Sequence, residues 1–421
     1  MTLNRRQFLG ATVAVAASLS APALLGASRP KVVVIGGGAG GATAARYIAK
    51  DSKGAIDVTL IEPTRSYYTC FFSNLYLGGF RTINSIGHSY GKLASDYGIN
   101  VVHDYAIGVD RDTKTVSLAN GAKMQYDKLI LSPGIDFVDG AVPGWSVEQQ
   151  NKMPHAYKAG SQTELLKSQI MGMREGGTFA LIAPPNPYRC PPGPYERISM
   201  VAHQLKQSNP TAKILVVDPK PKFSKQGLFE EAWTKYYGDM ITRIGPDFGG
   251  DKVSVNPDTM EVDIDGQVEK VDVCNVIPAM QAGKIAAAAG VTNDAGWAPV
   301  NADDMSSKAD PDVYVLGDAS HQGDMPKSGF SANSQAKVCA NAVRHALTGS
   351  KRFPAKFSNT CWSLVATDDG IKVGASYEAT AEKIAQISGF VSQTGEDAAL
   401  RKKTYEESIG WYDGITSDMF G

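Results

Sequence analysis

Residues Lys31 to Glu62, KVVVIGGGAGGATAARYIAKDSKGAIDVTLIE, constrain the fold of this chain more than any other stretch. Val32 to Ile35 form an unbroken apolar run, the pattern of a parallel strand covered on both faces. Gly36, Gly38 and Gly41 follow in G-x-G-x-x-G spacing and lead into a helix from Ala42. The first glycine permits a tight turn, the second lets backbone N–H groups approach a pyrophosphate, and the third lets the helix pack on the sheet. The helix N-terminus adds unpaired N–H groups and a partial positive charge facing the phosphates. Glu62 ends the second strand, Val58 to Ile61, about 20 residues past the glycines, where a carboxylate can accept hydrogen bonds from a ribose. In a chain with 43 glycines the turn alone is a weak signal. Strand, turn, helix and acid in this order specify a βαβ dinucleotide-binding unit.

The same turn serves nicotinamide and flavin dinucleotides, and downstream sequence separates them. Val313 to Ser320, VYVLGDAS, is an apolar strand ending in Gly317-Asp318, and it resembles the second flavin motif of the glutathione-reductase-like flavoproteins. That resemblance implies FAD, with Asp318 hydrogen-bonded to the ribityl chain. Tyr126 to Gly134, YDKLILSPG, resembles the strand by which that family leaves its FAD domain. The expected fold class is α/β, with two Rossmann-like dinucleotide-binding domains of glutathione-reductase type and a C-terminal α+β domain. The expected divisions are 29–150 with 285–350 for the FAD domain, 151–284 for the second domain and 351–421 for the C-terminal interface domain.

A chain of 421 residues with 42 basic and 43 acidic side chains suits two or three ordinary globular domains. It has no basic run, so no nucleic-acid partner is expected. Arg5-Arg6 precedes Phe8-Leu9 and a small-residue apolar run from Ala11 to Leu25, short for a membrane span. Residues 1–28 are therefore expected to be a cleaved twin-arginine export signal, which places the mature protein in the periplasm without stable membrane insertion. An uncleaved anchor and a general secretory signal are the competing assignments.

A second α/β unit opens at Gly177 with TFALIAPP, continues through a helix over Tyr195 to Gln207, and returns as the strand KILVVDP ending at Asp218. Where a nicotinamide site needs its glycine turn, the chain has APPNPYRCPPGPYE, rich in proline with a single glycine. Proline has no N–H to offer phosphates and its ring blocks close approach, so no nicotinamide binding is expected here. Five cysteines in an exported chain leave at least one unpaired. Cys274 and Cys339 lie in apolar stretches and suit core thiols. Cys190, in the proline segment, and Cys361, in SNTCWS, are the candidate redox pair, although a purely structural disulfide fits the residues equally well. Cys70, among Tyr67, Tyr68, Phe71 and Phe72, reads by itself as a buried structural thiol. Lys327, just ahead of a helix in MPKSGFSANSQ, is either a charge beside the flavin or a solvated surface lysine. No metal site is expected.

From about residue 30 onward the chain resembles the flavoprotein subunit of flavocytochrome c sulfide dehydrogenase, a relative of sulfide:quinone reductase. The matching pieces are YYTC with Cys70, RCPPGPYER with Cys190 and Glu196, VTNDAGW at Val291 to Trp297, MPKSGFSANSQ, NTCWS with Cys361 and the ending GWYDGITSDMFG. The resemblance implies covalent FAD attached through Cys70 and a redox-active disulfide between Cys190 and Cys361 that hydrosulfide opens by thiol–disulfide exchange. It gives Glu196 a role as base, with a helix-start carboxylate as the alternative. The chain has no C-x-x-C-H haem motif, so the implied electron acceptor is a separate cytochrome c subunit in a heterodimer. Two other functions stay open: a sulfide:quinone reductase-like enzyme and a non-catalytic exported flavoprotein. The first would need an apolar quinone channel and usually an amphipathic C-terminal anchor, and the tail shows no wide apolar stripe.

Overall fold

The computed structural model describes residues 28–421, so the expected export signal at 1–28 lies almost wholly outside the described residues. The first sheet has six strands in the order Ser306–Ser307, Asp310–Val315, Lys128–Leu131, Lys31–Ile35, Asp57–Ile61, Asn100–Val102. All its pairings are parallel except that of the short edge strand Ser306–Ser307. Lys31–Ile35 lies inside the sheet, and Val32, Val33 and Val34 are at most 2% exposed, which accounts for its unbroken apolar run. The helix Gly41–Ser52 follows the glycine turn at once and packs chiefly against the long helix Gly329–Thr348.

The second sheet is entirely parallel, in the order Ile241–Ile244, Lys213–Val217, Thr178–Ile182, Val273–Val276. Its helix runs Gly193–Ser208, two residues earlier than the sequence pattern predicts. Pro194 explains the early start, because a first-turn N–H has no intrahelical acceptor and its loss costs nothing there. Ile135–Phe137 and Met280–Ala282 pair antiparallel where the chain crosses between the two halves.

The C-terminal part is a three-stranded antiparallel sheet, Lys356–Ala366, Asp369–Ala379 and Ile384–Val391, followed by the helix Ala398–Phe420. Asp397 caps that helix by accepting from the Leu400 N–H at 2.9 Å. The helix returns to the first βαβ unit, where the Tyr47 hydroxyl donates to Asp418 at 2.8 Å and the Phe420 ring stacks on His88 with centroids 5.1 Å apart. This sheet and helix close over the space between the two parallel sheets and form the remaining wall of the site. No helix of the described residues is long and apolar enough to cross a membrane.

Candidate active site

The glycine turn is built as its spacing requires. Gly36 has φ +99°, and a Cβ there would lie 2.2 Å from the Ser132 carbonyl oxygen. A Cβ on Gly41 would lie 1.9 Å from the Gly36 carbonyl oxygen, so only glycine lets the helix start this close to the strand. Glu62 accepts from the Gly37 N–H at 2.9 Å, which fixes its carboxylate beside the turn. The Asp318 side chain is 12% exposed, and its buried Oδ1 has no hydrogen-bond partner among the described residues, while Oδ2 lies 3.8 Å from the Arg189 guanidinium. A buried acceptor left open is costly unless a hydroxyl or N–H arrives to meet it. Glycine cradle, carboxylate and open acceptor together fit an FAD with its pyrophosphate at the turn and a ribityl hydroxyl at Asp318.

Beyond Asp318 lies a cavity lined by Cys70, Cys190, Glu196, Cys361, Trp362 and Trp411, among others. The fold thus gathers three of the five cysteines from three distant segments. Cys70 opens a single 3₁₀ turn, Cys70–Phe72, directly after the strand Ser66–Tyr68. Phe71 and Trp362 both pack on Trp411, with centroids 5.4 and 5.3 Å apart, making an apolar aromatic wall beside Cys70. All five cysteines are free thiols in the structure, so Cys190 and Cys361 share the cavity without a bond between them. Cys274 and Cys339 are fully buried core thiols.

Cys190 has φ +56°, a left-handed conformation that costs a non-glycine residue energy and persists only where the surroundings hold it. Its N–H donates to the Lys327 carbonyl at 2.7 Å, its carbonyl accepts from the Gly193 N–H at 2.7 Å, and the Tyr157 hydroxyl donates to the Arg189 carbonyl at 2.8 Å. Gly193 leaves room for the sulfur, since a Cβ there would lie 3.0 Å from Cys190 Sγ. Burial pushes the Cys190 thiol well above its usual range, and the neighbouring Cys361, Glu196 and Cys70 push it further. Cys361, on the strand Lys356–Ala366, is likewise raised by burial, but Asn359, which donates to its sulfur at 3.5 Å, and Lys225 pull it back.

Glu196 lies both at a helix start and on the cavity wall. It stands in the first turn of Gly193–Ser208, yet its side chain turns into the cavity, accepting from Asn74 Nδ2 at 2.8 Å and from the Leu364 N–H at 2.9 Å. Burial raises its pKa, and the hydrogen bonds from Asn74 and the Leu364 N–H oppose that rise. Lys327 is no surface lysine: it is 8% exposed, donates to the Asp318 and Ser320 carbonyls at 2.8 and 2.7 Å, and lies 3.7 Å from the centre of the Trp297 ring. The two carbonyls hold its ammonium on the inner side, and burial lowers its pKa to about 8.

Three contributors escaped the sequence. Arg189 lies between Asp318 and Tyr157, whose carbonyl it bonds. Arg197, 2% exposed, ties Asn74 to the second sheet. Lys225 sits in PKPKFSKQG, which looks like surface, yet it is 9% exposed and donates to the Cys361 carbonyl at 3.1 Å and the Ser363 hydroxyl at 2.9 Å. Only the neighbouring Cys190 in RCPPGPYER hinted at Arg189, and nothing local marked Lys225.

Burial lowers the Lys225 pKa from its ordinary 10.5 to about 8, with Cys361 and Glu196 opposing. Between those values the unfolded chain binds the proton that the folded chain has lost, so folding stability from this group rises with pH across that window. Below pH 8 the full penalty of the buried ammonium applies. Lys225→Met removes that dependence: its stability relative to the natural protein should be highest near pH 7 and fall by pH 10. Urea titrations at both pH values measure it, and a constant difference would place the ammonium in solvent.

Fold and site together define a flavoprotein of the pyridine nucleotide-disulphide oxidoreductase class, and residues 30–172 match that family. Residues 163–278 match the central part of the sulfide dehydrogenase [flavocytochrome c] flavoprotein chain, and residues 354–420 match the flavin-binding part of flavocytochrome c sulphide dehydrogenase. The chain belongs to the family of the flavocytochrome c sulfide dehydrogenase flavoprotein chain. It is 52% identical over 44 residues to that chain from Chlorobaculum thiosulfatiphilum, covering 90% of the relative and 10% of this chain. It is 23% identical over 310 residues to the mouse mitochondrial sulfide:quinone oxidoreductase, covering 69% of this chain and 66%, just under two thirds, of the relative. In structure it is similar to the sulfide:quinone oxidoreductase of Aquifex aeolicus, with TM-score 0.69, 18% identity and 92% of each chain covered.

Proposed function

We propose that this protein oxidises hydrosulfide through a Cys190–Cys361 disulfide and delivers the electrons through FAD to a separate cytochrome c subunit. The observation that carries the proposal is the meeting of Cys190, Cys361 and Cys70 in one cavity, with Glu196 on its wall. In the oxidised enzyme hydrosulfide attacks one sulfur of the pair, leaving a persulfide on that cysteine and a thiolate on the other. The Lys225 ammonium, bonded to the Cys361 carbonyl, offsets the cost of a buried thiolate. Glu196 accepts the proton that the persulfide must lose, and its two hydrogen bonds hold the carboxylate in place for this. Asp318 and the glycine turn hold the FAD, and Arg189 and Lys327 oppose the burial that raises the Asp318 pKa. When bound, FAD takes up two electrons and releases them one at a time.

Anaerobic addition of sulfide to the FAD-loaded protein should bleach the flavin absorbance, with electrons then passing to cytochrome c. Absence of bleaching would leave a non-catalytic flavoprotein. The likeness to sulfide:quinone oxidoreductases sustains a second possibility, distinguished by reoxidation with a soluble quinone faster than with cytochrome c. Periplasmic export of the folded protein by residues 1–28, and a heterodimer made through residues 351–421, belong to the same proposal.

Nicotinamide has no place in it. Asp218 ends the second strand of the second unit, as Glu62 does in the first. It is fully buried and engaged by the Tyr195 hydroxyl at 2.8 Å, Arg243 at 3.0 Å and Lys220 at 2.8 Å. Phe223 stacks on Tyr195 with centroids 3.6 Å apart. The chain's own side chains thus take up the carboxylate that a ribose would need.

Covalent attachment through Cys70 makes a separate prediction. Flavin should remain with the acid-precipitated natural protein and appear in the supernatant from Cys70→Ala. Flavin released from both would remove the linkage while leaving the sulfur chemistry intact.

A further inference from the structure

The dinucleotide turn carries a glycine that its spacing does not ask for. In Gly36-Gly37-Gly38 the middle position of G-x-G-x-x-G is open to any residue, and Gly37 does not take a positive φ. What requires a glycine there is space, because a Cβ on Gly37 would lie 2.4 Å from the Tyr90 hydroxyl. Tyr90 is 3% exposed, and its hydroxyl donates to the Gly37 carbonyl at 3.2 Å, while the Gly37 N–H donates to Glu62 at 2.9 Å. Gly37 is thus pinned through both of its backbone groups. Burial, with Glu62 nearby, pushes the Tyr90 phenol far above its usual range, so the hydroxyl stays a donor.

A trans peptide points its C=O and the following N–H in opposite directions. Holding the Gly37 carbonyl on one side therefore aims the Gly38 N–H to the other, and among the described residues that N–H has no acceptor. Gly38 is the second glycine of the motif, the one whose backbone approaches a pyrophosphate.

Tyr90 is in turn backed by a distant segment. The Phe420 ring, 6% exposed at the end of the helix Ala398–Phe420, meets Tyr90 edge-on with centroids 5.6 Å apart. That helix end is fixed to both helices beside the turn. Asp418 accepts from Tyr47 of Gly41–Ser52 at 2.8 Å and pairs with Lys337 of Gly329–Thr348 at 2.5 Å.

We infer that Tyr90 and Phe420 are positioning residues for FAD: the Tyr90 hydroxyl turns the Gly38 N–H toward the pyrophosphate, and Phe420 holds the ring that carries this hydroxyl. Cofactor affinity and docking of the last helix are thereby coupled, and each strengthens the other by the same factor. The inference rests on the FAD site alone and not on the sulfide chemistry.

FAD titrations into full-length, FAD-free Cys70→Ala protein, where no linkage can form through Cys70, test it. Tyr90→Phe keeps the ring and loses the hydroxyl, and its Kd for FAD should rise about fivefold. Phe420→Ala should raise the Kd by a similar factor where Tyr90 is present, but by less than about twofold where Tyr90 is already Phe. A Tyr90→Phe value within about twofold of its parent, or an equal Phe420→Ala loss in both backgrounds, overturns the inference and leaves the FAD site standing. If the natural protein takes up no FAD, both fall. A second measurement needs no change at Phe420 and so survives a Phe420→Ala protein that fails to fold. Hydrogen exchange across residues 411–420 should slow when FAD is added to the Cys70→Ala protein, and unchanged exchange overturns the coupling.

Discussion

Cys361→Ala loses sulfide-dependent flavin bleaching by at least about three orders of magnitude and retains its FAD, and Cys190→Ala does the same. The size of the effect follows from the chemistry, because without a disulfide the attacking sulfide has no sulfur to bond and no leaving thiolate. Neither side chain contributes to the glycine turn or to Asp318, so the cofactor should stay in place. The double variant should be no worse than either single one, since the two sulfurs act as a unit. Stopped-flow mixing with sulfide, alongside dithionite as a cysteine-independent reductant, measures both. If either single variant bleached at a rate within tenfold of the natural protein, the pair would be structural.

Arg197→Leu is the largest stability loss expected anywhere in the chain. Its guanidinium donates to Asn74 Oδ1 at 3.1 Å, the His155 carbonyl at 3.1 Å, Asn275 Oδ1 at 2.9 Å and the Ala156 carbonyl at 2.7 Å. Removal leaves these four buried acceptors short of a donor, a loss of about 3–5 kcal/mol, which corresponds to a melting temperature lower by roughly 10 °C. Arg197→Lys should recover little, because an ammonium cannot reach acceptors spread around a planar fork. The damage should also reach the cavity, since Asn74 holds Glu196. Thermal unfolding reads the first effect and the pH dependence of bleaching the second; a melting point within 2 °C of the natural protein would show that water replaces the guanidinium.

How far the sequence reached depended on whether a residue's role is written in its neighbours. The first βαβ unit was legible because its glycines, apolar strand and Glu62 lie within a single stretch, and Lys31–Ile35 and Gly41–Ser52 follow the pattern to within one residue. Cys70, Cys190 and Cys361 were legible as candidates because each sits in a short distinctive segment, although their convergence depends on three separate chain crossings. Lys225 and Arg197 were not. Both are charged residues in or beside polar surroundings, and their burial comes from the C-terminal sheet and the second parallel sheet closing over them. Lys327 shows the same limit, with its backbone position readable and its inward turn toward the Asp318 and Ser320 carbonyls not. The helix Ala398–Phe420 was invisible as a wall of the site because its apolar residues are spread around it and only the fold decides which of them face inward.

The internal engagement of Asp218 bears on how such a protein can be re-engineered. Replacing the prolines before Gly193 with glycines would rebuild a phosphate-binding loop in outline, but Tyr195, Arg243 and Lys220 would still hold the carboxylate and Phe223 would still lie against Tyr195. A change of electron donor therefore calls for rewriting two layers of side chains together, and swapping one loop alone leaves the specificity where it is.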